Sequence, residues 1–121
     1  MIQLQTCLSV ADNCGATQLQ CIRIPGTRRK FARVGDEIVG VVKAAMPLLT
    51  VKRREIVRAV IVRTKQAQAR KDGSHIRFDD NAVAIVDKSG NPLGTRVFGP
   101  VAREVKVKGF TAVAALALDL L

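Results

Sequence analysis

The residues of this chain best equipped for chemistry are cations. Arg28, Arg29, Lys30 and Arg33 crowd the run from Thr27 to Arg33, and Lys52, Arg53 and Arg54 form a second cluster. Lys65, Arg70, Lys71 and Arg77 bracket an Asp72-Gly73 dipeptide. Guanidinium and ammonium groups carry fixed charge and several N–H donors, and both match the oxygens of a phosphate. A basic run is often only a solvated loop. Here, however, 20 Lys and Arg face 10 Asp and Glu, giving a net charge of +10. No cation precedes Arg23 and none follows Lys108. That balance points to a polyanionic partner, nucleic acid before an acidic membrane, with a merely soluble basic surface as the bland alternative.

Other chemistries find little support. Catalysis needs a nucleophile with its base, paired acids or a metal set. The single histidine, His75, sits beside the Asp72-Gly73 turn among cations. Asp79 and Asp80 are adjacent, so on a strand they point to opposite faces; capping a turn or pairing with an arginine suits them better. There is no Walker-type loop, and Gly94 to Gly99 does not open a Rossmann helix. Cys7, Cys14 and Cys21 are spaced by seven, which fits no zinc pattern, and an odd count argues against a disulfide framework. They are expected to be small buried hydrophobes in a reducing compartment. No enzyme activity, cofactor or metal is therefore expected. The chain has four Phe and neither Trp nor Tyr, so it offers few platforms for stacking bases. Phosphate contacts to folded RNA or a duplex are the favoured mode over splayed-base reading.

The elements that must position these cations are mostly strands. A chain of 121 residues, 48% hydrophobic and 25% charged, has the makings of one domain spanning 1–121. Its apolar stretches are far shorter than a membrane span, and Met1 to Gln5 shows no signal-peptide pattern. Strands are predicted over Thr6 to Val10, Gln18 to Ile24, Ile38 to Ala45, Ile56 to Arg63, Ala82 to Asp87 and Leu93 to Phe98. Gly, Pro and Asn turns separate them. Gly40 interrupts an apolar strand and marks a bend of the kind small barrels need. The expected fold is a small all-β, five-stranded barrel carrying a basic hairpin over about 64–78 and a helical C-terminal region over about 101–121. Pro100 is placed at the start of a first short helix, and the Ala- and Leu-rich Phe110 to Leu121 as a second.

Ile56 to Arg63 is β-branched and nearly continuous, which predicts a strand buried on both sides. It then runs into the hairpin that turns at Asp72-Gly73. Arg58 and Arg63 interrupt the buried strand. They either pair with acids such as Asp79, Asp80 or Glu104, or point from the barrel wall to RNA.

Several motifs are familiar together. They include Val10-Ala11-Asp12-Asn13-Cys14-Gly15-Ala16, Cys21-Ile22-Arg23, Val34-Gly35-Asp36 and Val60-Ile61-Val62-Arg63-Thr64. The most specific are Asp72-Gly73-Ser74-His75-Ile76-Arg77-Phe78-Asp79-Asp80-Asn81-Ala82 and Gly94-Thr95-Arg96-Val97-Phe98-Gly99-Pro100-Val101. From end to end the chain resembles the bacterial-type (bacterial and organellar) large-subunit ribosomal protein fourteen family. The resemblance implies a five-stranded barrel with a projecting ribbon and two small C-terminal helices. It also implies binding to large-subunit rRNA, a place at the subunit interface, and bridges to small-subunit rRNA. Implied neighbours are the large-subunit ribosomal proteins three and nineteen, and a ribosome-silencing factor that blocks subunit joining. Carried over, Thr95 and Arg96 belong to that interface, while the Arg28 to Arg33 loop and the Lys65 to Arg77 arm face RNA.

The chain departs from the family pattern in three places. The family's Lys near Ala112 and Pro near Leu118 are absent, Cys14 stands where Ser is usual, and Gln66 to Ala69 dilutes the arm's charge. The wording around Val57 to Thr64 and Gly90 to Arg96 is nearest to plastid and cyanobacterial members. A plastid is therefore placed first, with the mitochondrion and the bacterial cytoplasm as alternatives. Two other functional classes remain to be separated from this reading: a free-standing regulatory RNA-binding barrel, and a peripheral membrane protein held by charge. No basic amphipathic helix supports the latter.

Overall fold

The computed structural model of the chain describes residues 2–13, 15–25, 31–46, 54–94 and 96–121. Five strands close into a barrel: β1 (Cys7–Val10), β2 (Ala16–Arg23), β3 (Glu37–Ala45), β4 (Ile56–Arg63) and, after a short ribbon, β7 (Ala82–Val86). The ribbon is formed by β5 (Gln68–Ala69) and β6 (His75–Ile76). Strands β1 to β4 and β7 pair antiparallel around the barrel except at the seam, where β1 meets β7 in parallel through Ser9↔Ala82 and Val10↔Val83. The expected five-stranded barrel is the one observed.

Register explains the core. Residues directly opposite one another share a face of the sheet. The pairs Leu8↔Leu19 and Leu19↔Val42 therefore point the same way, as do Ile38↔Ala59, Ala59↔Ile85 and Ile61↔Val83. All of these side chains are buried. Gly40 lies opposite Cys21 on this same inner face, beside a register shift between Cys21 and Arg23. A Cβ on Gly40 would stand 2.7 Å from Leu19 Cγ and Cδ2 and 2.8 Å from the Gln20 carbonyl. The missing side chain thus lets two strands approach.

The outer face is covered as well along β7 and from Ala59 onward in β4, whereas Ile56 is 66% exposed and Arg58 is exposed, so the expected two-sided burial holds only for the second part of β4. From Ala59 to Arg63 and from Ala82 to Val86 every residue is buried. The 34–36 and 102–105 segments are tied to the end of β4 by backbone bonds: Gly35 N–H donates to Ile61 O at 2.8 Å and Ala102 N–H to Val62 O at 3.2 Å. The Asp12 turn continues the pairing of β1 with β7, and its buried carboxylate accepts from Ile85 N–H at 2.9 Å.

The C-terminal part differs from the expected helical region. β8 (Val97–Val101) begins four residues later than the predicted Leu93 to Phe98 strand and carries Pro100 inside it, so Pro100 opens no helix. Helix α1 (Glu104–Val107) and helix α2 (Thr111–Ala115) follow, and Ala117–Leu120 forms strand β9, parallel to β8. Helix propensity in the Ala- and Leu-rich tail thus gives way after one turn and a half, because pairing with β8 satisfies backbone groups that a short helix leaves open. Among the described residues no helix is long and apolar enough to cross a membrane.

The cysteines do not share one environment. Cys21 is buried, and burial pushes its thiol up, whereas Cys7 is exposed, against the expectation that all are buried. Cys14 lies outside the described residues.

Candidate nucleic-acid interface

The ribbon is short and well anchored. Gln68 pairs with Ile76 and Ala69 with His75, and the chain reverses through Asp72 and Gly73, the latter at φ +88°. Arg70 N–H donates to Ser74 O at 2.8 Å and Gly73 N–H to Arg70 O at 3.1 Å. The Asp72 carboxylate accepts from the Ser74 hydroxyl at 2.6 Å and the Ser74 amide at 3.1 Å. Those two bonds hold Asp72 below the usual carboxylate range. A folded-state pKa lowered in this way supports the turn above the unfolded value and loses that support as pH falls through the folded one. The Ser74 amide resonance is accordingly expected to titrate with a midpoint below the ordinary Asp value. A midpoint at or above that value would remove the bond from the turn's account.

At its base the ribbon is tied to the barrel. Val34 N–H donates to Gln68 Oε1 at 3.2 Å, and Phe78 N–H to Thr64 O at 2.9 Å. Arg70 is half-buried, its Nε 2.9 Å from Glu104 Oε1 in a charge contact, while Nη2 donates to Oε2 at 3.4 Å. Glu104 thus serves Arg70 on α1, and neither of the strand arginines. Arg63 Nε and Nη2 instead donate to the two carboxylate oxygens of Asp80 at 3.0 and 3.3 Å. Its Nη1 donates to Phe98 O at 2.7 Å and Pro100 O at 3.1 Å. Arg58 pairs with Glu37 at 3.3 Å on the exposed barrel wall. Arg63 is thus paired with Asp80, one of the acids expected for it, whereas Arg58 stays on the exposed wall and its partner Glu37 was not among them.

The remaining cations fall into an ordered picture. Lys65, Lys71 and Arg77 are exposed along the ribbon, and Arg33 is exposed where its cleft of about 230 Å³ meets the ribbon base at Gln66 to Ala69. Arg54 is exposed and held at φ +69°, its N–H donating to Val42 O at 2.8 Å. Arg28, Arg29, Lys30, Lys52, Arg53 and Thr95 lie outside the described residues. Arg96 is exposed, and its backbone is stapled to the Asp12 turn: Arg96 N–H donates to Asn13 Oδ1 at 3.1 Å and Phe98 N–H to Ala11 O at 2.6 Å.

Two cations absent from the sequence-derived set join the ribbon. Arg103 and Lys108 line a cleft of about 460 Å³ with Ala69, Arg70 and Lys71, between ribbon and α1. The signal was present, since Arg103, Lys106 and Lys108 make a basic run at the end of the cationic part of the chain. Only the docking of α1 against the ribbon brings that run beside Lys71.

A barrel with a tethered basic ribbon and a capped C-terminal strand pair is now in place. A family model described as Ribosomal protein L14p/L23e matches residues 1–121. The chain belongs to this family. As an L14p/L23e member it is a structural protein of the large ribosomal subunit, in a family that is not enzymatic. The resemblance carried by the Asp72 to Ala82 and Gly94 to Val101 motifs and the family match agree along the whole chain.

Proposed function

We propose that this L14p/L23e member binds large-subunit rRNA through phosphate contacts and contributes bridges to small-subunit rRNA across the subunit interface. The supporting observation is the separation of its cations into two classes. Arg63 and Arg70 are largely withdrawn from solvent and engaged by Asp80 and Glu104, whereas Arg33, Arg54, Lys65, Lys71, Arg77 and Arg96 present exposed side chains, and Arg58, exposed but paired with Glu37, stands between the two. Internal acids thus fix the scaffold and leave the exposed set for an external polyanion. Arg28, Arg29, Lys30, Lys52 and Arg53 are assigned to the same RNA-facing role from their clustering in sequence. Thr95 and Arg96 belong to the interface and to the surface a ribosome-silencing factor would meet. Large-subunit ribosomal proteins three and nineteen are the proposed neighbours, and a plastid the proposed compartment.

The mechanism predicts a salt dependence. With about six cations on phosphates, log affinity should fall with log salt at a slope of roughly −4 to −5. Replacing Lys65 and Lys71 with Ala should flatten the slope by about 1.5 while leaving the melting temperature unchanged, because neither side chain is buried. Arg70 is a poor probe of the same question, since its loss would also free Glu104. Filter binding to large-subunit rRNA across a salt series checks both statements, and a salt-insensitive complex would sink the phosphate mechanism. A free-standing regulatory RNA-binding barrel would stay at the top of a gradient on which large subunits sediment.

A further inference from the structure

A cleft of about 640 Å³ opens beside the ribbon, between the 77–80 segment and β8. Two of the chain's four aromatic rings line it: Phe98, 54% exposed, and half-buried Phe78. Arg77, Asp79 and the Arg63–Asp80 pair complete the wall. We infer that this cleft takes one unpaired RNA nucleobase, stacked on Phe98 and edged by Asp79 and Arg77. The inference rests on the RNA-binding reading above and adds to it a contact that is not a phosphate contact.

Three features of the cleft favour a base. Leaving a Phe ring half in water forgoes burial that would otherwise stabilise the fold, and a base stacked on its face recovers it. The charges in the wall nearly cancel: Arg63 is matched by Asp80, and Arg77 by Asp79. In a chain of net charge +10 such a locally neutral patch attracts a phosphate poorly but suits a neutral ring with polar edges. The platform is also rigid. Arg63 Nη1 holds the carbonyls of Phe98 and Pro100, so the backbone carrying the ring is fixed before anything binds. Aromatic faces and Arg planes are the surfaces on which proteins stack unpaired RNA bases. A carboxylate such as Asp79 accepts hydrogen bonds, and this favours a base edge that donates, such as an exocyclic amino group.

The test uses the full chain and deproteinised large-subunit rRNA, with Phe98→Leu and Phe98→Tyr variants. Leucine keeps apolar bulk and loses the π-face; tyrosine keeps both. Phe98→Leu is expected to weaken binding by about 5- to 100-fold with an unchanged salt slope, and Phe98→Tyr by no more than about twofold. Ultraviolet cross-linking of the unmutated chain should join the Val97–Val101 peptide to a nucleotide, and the Leu variant should lose that adduct. Wild-type affinity in Phe98→Leu, or an adduct confined to other peptides, would overturn the base site. So would a Leu variant that keeps its RNA affinity yet no longer cosediments with large subunits, since the cleft would then receive a protein side chain. Failure of the broader RNA reading is separately visible as salt-insensitive binding by the unmutated chain.

Discussion

Replacing Arg63 with methionine is expected to destabilise the protein by about 3 kcal/mol, a fall in melting temperature of about 12 °C for a chain of this size. The guanidinium makes four hydrogen bonds, two to the Asp80 carboxylate and two to the carbonyls of Phe98 and Pro100. Methionine fills the same channel and satisfies none of them. Breaking a fully buried ion pair costs more, but the Asp80 side chain is 44% exposed while Arg63 is 10% exposed, so water takes over part of the carboxylate's solvation. Most of the loss is expected to come from the two carbonyls, which share the single Arg63 Nη1 donor. The fit is close: a Cβ on Gly99, which sits at φ +78°, would collide with Arg63 Nη1. Asp80→Asn should therefore cost only about 1 kcal/mol, since an amide oxygen still accepts one bond. Urea unfolding of the two variants checks the asymmetry. Equal losses would mean that the ion pair, and not the carbonyl clamp, carries the stability.

Gly40→Ala should be the next most damaging single change, at about 2 kcal/mol net. Overpacking a filled core costs roughly 1–3 kcal/mol, and at this site the upper end applies, because the new methyl meets both the fully buried Leu19 side chain and the Gln20 carbonyl. Removing a flexible glycine from a strand offsets that by about 0.5–1 kcal/mol. The contact predicts its own partial rescue. Leu19→Val alone should destabilise the barrel modestly by opening space, but combined with Gly40→Ala it should cost about 1 kcal/mol less than the sum of the two. Strictly additive effects in denaturant melts would show that the clash lies elsewhere.

The barrel was legible because its signals are local. The β-branched run from Ile56 to Arg63, the Asp72-Gly73 turn and the break at Gly40 each act within a few residues, and the structure uses all three. The tail was less legible. Phe110 to Leu121 has helical composition, yet Ala117–Leu120 lies as a strand because β8 offers it a partner that no local pattern announces. The roles of the arginines were hidden for a related reason. Arg63 and Asp80 come together only when β4 and the segment before β7 close, and Arg70 meets Glu104 only when α1 docks on the ribbon. The basic clusters could be found by counting charges. Which cations hold the fold and which face outward depends on where the ten acids land.

The seam between β1 and β7 has a consequence for how the molecule comes into being. The first strand of the barrel finds its last partner only at Ala82 and Val83, and the Asp12 carboxylate reaches its donor at Ile85. On a chain emerging in order from a ribosome, β1 to β4 are therefore an open sheet with two unsatisfied edges, β1 and β4, until β7 has cleared the exit. Such long-range closure makes folding slow relative to a helical domain and leaves both edges available for wrong pairing meanwhile. Newly made copies depend on finishing synthesis before they become safe from self-association. Pausing between β4 and β7, the interval in which the ribbon itself is being made, is expected to prolong the exposure of those edges.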